Sequence, residues 1–258
     1  MYLVAIGEIF LKGKNRITFE RKLIKNIRKA LSLEPNDILK FRNRYIILKE
    51  DNIENLNRIF GIVFYVECIK SNMDKINEAA LSLITNEKTF RISAKRSIML
   101  KKSSTSLNEE IGSYILSEKA NLKVNLDDPE IEIKIEELGN KCFLYKYKDI
   151  VSGLGGLPVG TGGFVNLRVN SEFNSTVAGF LLMKRGCSIS LSQDLPLLHK
   201  FEYDSKLKIK EEKEEDIVAT DEIFENLELK EDQKFILKPL VGYTKKQIEE
   251  IYNKIKTI

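Results

Sequence analysis

The residues best suited to chemistry lie between Ser152 and Cys187, in SGLGGLPVGTGGFVNLRVNSEFNSTVAGFLLMKRGC. A glycine-rich segment leads into an apolar, strand-like run at Phe164, Val165, Leu167 and Val169. A polar turn from Asn170 to Asn174 follows, then a helical pattern from Ser175 to Arg185 closed by Gly186. Strand, tight polar turn and helix together aim backbone N–H groups and a helix N-terminus at an anion, usually a phosphate. Two other glycine patterns fail on their residues. The run from Gly155 to Thr161 lacks the lysine of a Walker A loop. Gly153-Leu154-Gly155 meets Pro158 where G-x-G-x-x-G needs its third glycine.

A second chemistry is electrostatic. KTFRISAKRSIMLKKSSTSL, residues 88–107, holds Lys88, Arg91, Lys95, Arg96, Lys101 and Lys102, no acidic residue and many hydroxyls. Cations supply phosphate affinity, and Ser or Thr hydroxyls add hydrogen bonds to phosphate or a ribose 2′-OH. A charge run is usually a solvated face; the missing counter-charge favours a polyanion. Nearer the N-terminus, Lys12, Lys14 and Arg16 cluster around Gly13 in GEIFLKGKNR. That loop suits phosphate contacts, and it equally suits plain solvation. Residues 1–70 hold 14 basic against 8 acidic residues, 71–165 hold 13 against 13, and 166–258 hold 15 against 17. The positive field therefore sits at the N-terminal end, where it would steer a polyanion.

The elements that must carry these groups follow from periodicity. Tyr2–Ile6 reads as a strand and Ile17–Leu31 as an amphipathic helix with Phe19, Leu23, Ile27, Ala30 and Leu31 on one face. A hairpin (38–41 and 45–48), a short helix over Ile53–Phe60 ended by Gly61, and a strand over Ile62–Ile69 complete a β-α-β-β-α-β, or ferredoxin-like, unit. From residue 71 the pattern is helix (73–84), strand (88–94), helix (107–119), strand (130–136) and strand (141–147), an α/β sandwich. The expected fold class is α/β, with an α+β N-terminal part.

With 258 residues, 43% of them apolar and 31% charged, the chain reads as an ordinary soluble protein of up to three small domains. No apolar run suits a bilayer and no leader opens the chain, so a cytoplasmic protein with no membrane partner is expected. Cys68, Cys142 and Cys187 are odd in number and far apart, which argues for buried thiols rather than disulfides or a zinc site. His199 is the only histidine and reads as an incidental surface residue, and no metal site is expected.

LKGKNRITFE, FRISAKRS, SSTSLNEEIGSYIL, VNLDDPEIEIKIE and GLGGLPVGTGG, in that order, resemble the tRNA 4-thiouridine synthetase family, the ThiI-type sulfurtransferases. The resemblance implies a ferredoxin-like domain at 1–70, a THUMP RNA-binding domain at 71–165, and a truncated, doubly wound PP-loop domain at 166–258. It implies tRNA as partner, with contacts from Lys12, Lys14, Arg16, Lys95, Arg96, Lys101, Lys102, Lys184 and Arg185. A homodimer, or a separate catalytic or sulfur-donor protein, would complete the assembly. The family's ATP loop reads S-G-G-x-D-S; here Asn170, Ser171, Glu172, Phe173, Asn174 and Ser175 stand at those positions, and only the last agrees. Glycines let a phosphate approach closely. Ser171 and Glu172 replace both, and a carboxylate about 4 Å from a phosphate charge would be repelled by roughly 4 kcal/mol at an effective dielectric near 20.

The implied activity is therefore tRNA binding with catalysis impaired, no catalytic residue in this chain and no cofactor. The alternative is an active ATP- and Mg-dependent sulfurtransferase making 4-thiouridine, and serving thiamine thiazole sulfur transfer as well. Family sulfur delivery uses cysteine persulfides, whereas Cys187 is expected to be buried and inert, with no rhodanese domain following. IVATDEIFENL and FILKPLVGYTKKQIEEI resemble late parts of the PP-loop domain, and KLKIKEEKEED reads as an exposed or mobile connector.

Overall fold

The computed structural model describes residues 1–95, 103–214, 217–226 and 236–258. In chain order the elements begin β1 Tyr2–Ile6, α1 Arg16–Leu31, β2 Ile38–Phe41, β3 Arg44–Ile47, β4 Ile62–Glu67, β5 Ile69–Ser71, α2 Ile76–Ser82, β6 Thr89–Lys95 and α3 Ser104–Glu118. They continue with β7 Lys123–Val124, β8 Ile131–Leu138, β9 Lys141–Lys146, β10 Val151–Ser152, β11 Phe164–Leu167 and α4 Glu172–Lys184. Last come β12 Ser188–Leu191, β13 Lys208–Ile209, β14 Val218–Ala219, β15 Ile236–Leu237 and α5 Lys245–Thr257. The chain forms two compact units, one of residues 1–5, 36–50 and 64–152, the other of residues 6–35, 51–63 and 153–258.

The first unit is built on two sheets, ordered β10-β4-β1-β3-β2 and β5-β9-β8-β6-β7. In β8 the alternation is visible directly: Ile131, Ile133 and Ile135 are buried, while Glu132 and Lys134 are not. β8 runs parallel to β6, with Ile92 opposite Ile133, and antiparallel to β9. Leu107, Ile111 and Ile115 on α3 fill the same core as Phe90 and Ile133. Ser103 caps α3 by accepting the Ser106 N–H at 3.1 Å, so the helix starts three residues before the apolar pattern does. Arg44 makes a bidentate pair with Glu136, at 2.8 and 3.0 Å, and the Tyr145 hydroxyl donates to the same carboxylate at 3.0 Å. Burial, with the Glu136 charge beside it, pushes the Tyr145 phenol well above its ordinary value. The pair's desolvation is offset by complete hydrogen bonding of the carboxylate.

The second unit holds a parallel five-stranded sheet, ordered β13-β12-β11-β14-β15. Taken in chain order the strands lie 3-2-1-4-5, the doubly wound arrangement, and each is only two to four residues long. Its switch point falls between β11 and β14, where ligands of such sheets bind at the carboxyl ends. In the segment expected to be an exposed or mobile connector, Lys208 and Ile209 form the edge strand β13, paired with Ser190 and Leu191. Both are exposed, which is why the charge run hid the strand.

The helix expected over Ile53–Phe60 is a 3-10 turn over Ile53–Arg58. Ile59 is extended, which lets it and Phe60 turn into the core. Phe60 stacks within 5.1 Å of Phe180 and 5.5 Å of Phe201, and these two rings are 5.2 Å apart. Gly61 takes φ +104, and an added Cβ would meet Leu23 and Pro158 at 3.3 Å, so glycine is needed there although it caps no α-helix. Phe60→Ala should therefore destabilise the fold by about 3–5 kcal/mol in a urea titration, because the aromatic trio cannot close over the gap.

Candidate nucleic-acid interface and anion cradle

At the switch point the chain leaves β11, turns through Asn170 and Ser171, and enters α4. The helix begins at Glu172, three residues earlier than the apolar pattern indicates, because Ser171 serves as N-cap. Glu172 and Phe173 are thus first-turn residues, not turn residues. Glu172 is exposed, where a carboxylate complements the positive end of the helix.

The carboxylate found inside the turn is that of Asp221, which follows β14 and is 4% exposed. Three donors converge on it. Asn170 Nδ2 reaches Oδ1 at 2.7 Å, while the Ser171 backbone N–H and Ser175 Oγ reach Oδ2 at 2.9 and 2.7 Å. Ser175 is fully buried. The cradle thus holds an anion supplied by its own chain. Sequence reading missed Asp221, although an acidic residue directly after the apolar run Ile217–Thr220 was the available sign.

The glycine-rich segment has a different role. The N–H groups of Gly160, Thr161 and Gly162 all point to the Gly186 carbonyl, at 2.8, 2.9 and 2.8 Å, and Leu157 N–H reaches the Lys184 carbonyl at 2.9 Å. The segment is a strap over the C-terminal end of α4. Gly186, at φ +88, would carry a Cβ 2.5 Å from Thr161 Oγ1, so the strap needs glycine there.

The expected RNA-contacting residues fall into separate groups. Lys12 lies over the Phe19 ring at 5.2 Å, Lys14 is exposed, and Arg16 pairs with the buried Glu20 at 2.7 Å. Arg16 is therefore committed to its own helix. Lys95 ends β6 and is exposed, whereas Arg96, Lys101 and Lys102 lie outside the described residues. Lys184 and Arg185 end α4 and line a cavity of about 490 Å³ together with Glu8, at the head of the segment that carries Lys12 and Lys14.

All three cysteines are buried and free. Burial pushes the Cys68 thiol up to about 12 and Cys142 to about 11, and it raises Cys187 as well. His199 lies at the surface, as expected, and is hydrogen-bonded there. Its Nε2 lies 2.7 Å from Asp194 and its Nδ1 3.1 Å from Glu202, across a 3-10 turn opened by Pro196. Among the described residues no cluster of three metal-ligating side chains occurs, and no helix is long and apolar enough to cross a membrane.

The family model of the ThiI ferredoxin-like domain matches residues 1–66, and that of the THUMP domain matches residues 70–146. The chain belongs to the ThiI family. A protein of Mycoplasmopsis synoviae (strain 53) named "Probable tRNA sulfurtransferase" is 37% identical over 191 residues, covering 72% of this chain and 50% of its own. A protein of the same name from Coxiella burnetii (strain RSA 493 / Nine Mile phase I) is 35% identical over 216 residues, covering 78% and 54%. The chain thus spans about half the length of these curated relatives. The fold matches that of a 4-thiouridine synthetase solved with RNA and bound ATP, with TM-score 0.78 and 24% identity, over 99% of this chain and 84% of that one. The strap and the cradle therefore lie on a fold that this chain shares with that protein.

Two outcomes test this geometry. Hydrogen bonding to Asp194, reinforced by Glu202, holds the His199 imidazole above its ordinary range. These contacts stabilise the fold fully below the unfolded-state pKa, and the contribution is lost as pH rises through the raised folded value. NMR titration of this single histidine should show the raised midpoint, and Asp194→Asn should bring it back down. Asp221→Ala should cost about 2–3 kcal/mol in denaturant unfolding, since it strands buried donors, with Ser175 the most strongly affected.

Proposed function

We propose that this chain is a tRNA-binding member of the sulfurtransferase family whose loop 170–175 does not hold ATP. The observation that carries the second half is Asp221. Its carboxylate takes up one backbone and two side-chain donors of the turn that would otherwise face a phosphate. A triphosphate entering there would meet a buried negative charge and would have to displace three hydrogen bonds. The absence of both signature glycines supports the same reading. So do the cysteines: with burial raising each thiol, none of the three is suited to be a thiolate nucleophile at neutral pH.

The first half rests on the THUMP match, on the acid-free cationic run at 88–107, and on the exposed Lys14 and Lys95. Such contacts position a phosphate backbone without reading sequence. Catalysis, where the family reaction occurs, falls to another chain to which this one presents tRNA, or to a dimer of this chain. We place the protein in the cytoplasm, where tRNA is found.

Filter binding with purified tRNA should give micromolar or tighter affinity that falls steeply with salt. Reversing Lys95, Arg96, Lys101 and Lys102 to Glu should weaken binding more than tenfold and flatten the salt slope by about one for each phosphate no longer neutralised. Unchanged binding would remove the RNA reading. Calorimetry with Mg-ATP should show no heat of binding; a clear isotherm would favour the active ATP-dependent sulfurtransferase instead.

A further inference from the structure

A cavity of about 490 Å³ lies at the opposite end of α4 from the cradle. The helix has 13 residues, so about 20 Å separates the two. Its lining includes the cations Lys184, Arg185 and Lys238 together with Leu237, Pro239 and Tyr243. Lys238 is held by Glu222 at 2.6 Å. Lys184 and Arg185 have no ion pair among the described residues, and Glu8 is the single acidic group in the lining. Burial disfavours the charged form of Lys184, and the neighbouring Lys254 and Arg185 add to that effect, with Glu8 opposing it. Cations at a helix C-terminus complement its dipole, which explains why they are tolerated there. It does not explain why a half-buried Lys184 and an exposed Arg185 line one cavity together with an aromatic ring.

We propose that this cavity binds a ribonucleotide, with its phosphate on Lys184 and Arg185 and its base against Tyr243. The volume suits one nucleotide, since small-ligand sites start near 300 Å³. A guanidinium and an ammonium side by side give the charge-assisted donors a phosphate monoester takes up. An aromatic side chain in a lining that also holds leucine and proline offers the sequence-tolerant face on which an unpaired base stacks. The nucleotide comes either free from solution or as the unpaired end of an RNA strand. Only the second source rests on the RNA-binding reading above.

The test is calorimetry on the full chain with adenosine and uridine monophosphates, with the matching nucleosides, and with short single-stranded RNA carrying or lacking a terminal phosphate. Binding of the phosphorylated ligands is expected, with nucleosides at least about tenfold weaker, as befits removal of a charge-assisted hydrogen bond. Lys184→Gln with Arg185→Gln should weaken the phosphorylated ligands by about tenfold or more, and Tyr243→Leu should weaken base-bearing ligands but not inorganic phosphate. Circular dichroism melts check folding, and Arg185→Gln alone, at an exposed site, keeps the test open if the double variant unfolds. Mononucleotide binding assigns the free source; binding of phosphorylated RNA alone assigns the strand end. Failure of every ligand to bind, or affinities indifferent to all these substitutions, overturns the site. Reversal of residues 95, 96, 101 and 102 leaves mononucleotide binding intact, so this proposal and the tRNA reading fail separately.

Discussion

The second unit is organised by one buried carboxylate. A turn that feeds a helix N-terminus leaves backbone N–H groups pointing inward, and buried donors without acceptors are costly. Asp221 meets that need from within the chain. Its two oxygens join the end of β14 to the turn after β11 and to Ser175 in the first turn of α4. Because the strands around it have two to four residues each, the ladder alone fixes little. The ladder pairs β11 with β14, and the carboxylate ties the end of β14 to the turn and to the start of α4. From there α4 carries Phe180 to the aromatic trio and Lys184 to the cavity at its far end.

The two ends of α4 show how the same fold treats charge in opposite ways. At the N-terminus the anion is internal and its donors are used up. At the C-terminus the strap of residues 157–162 consumes the carbonyls of Lys184 and Gly186, which leaves the side chains of Lys184 and Arg185 free to face the cavity. Glu172 keeps an exposed carboxylate at the first end, whereas Lys184 and Arg185 line a cavity at the second. Unspent cations in a half-enclosed space are the more informative feature for ligand binding, since structural charges are normally matched.

The sequence made the architecture legible where side-chain periodicity is strong. The alternation Ile131, Ile133, Ile135 and the stripe Leu23, Ile27, Ala30 each correspond to the buried face of the expected element. It failed where hydrogen bonds outside the pattern decide the outcome. The start of α4 depends on Ser171 as a cap, the start of α3 on Ser103, and neither shows in apolar spacing. Strand β13 lies in a charged run because an edge strand buries little. Ile53–Phe60 has helical spacing, but Phe60 is drawn out of the helix by its two aromatic neighbours. Asp221, 46 residues beyond Ser175, was invisible for the most basic reason: its meaning depends entirely on a contact distant in sequence.

That dependence bears on how a phosphate cradle can lose its glycines and still fold. Replacing glycine with a larger residue restricts the backbone and fills the space a phosphate would enter. A loop so altered still presents its helix terminus, and the terminus still favours negative charge. A side-chain carboxylate is small enough to fit where a phosphate group no longer does, and it is present at fixed, high effective concentration. Once such a carboxylate is seated, Ser171 becomes a better partner than glycine, because it adds a cap, while Ser175, the one residue the signature shares, supplies a hydroxyl donor. The substitutions in the turn and the position of Asp221 are then one coupled feature. Restoring glycine at positions 171 and 172 alone would leave the internal anion in place and would weaken the cap that starts α4.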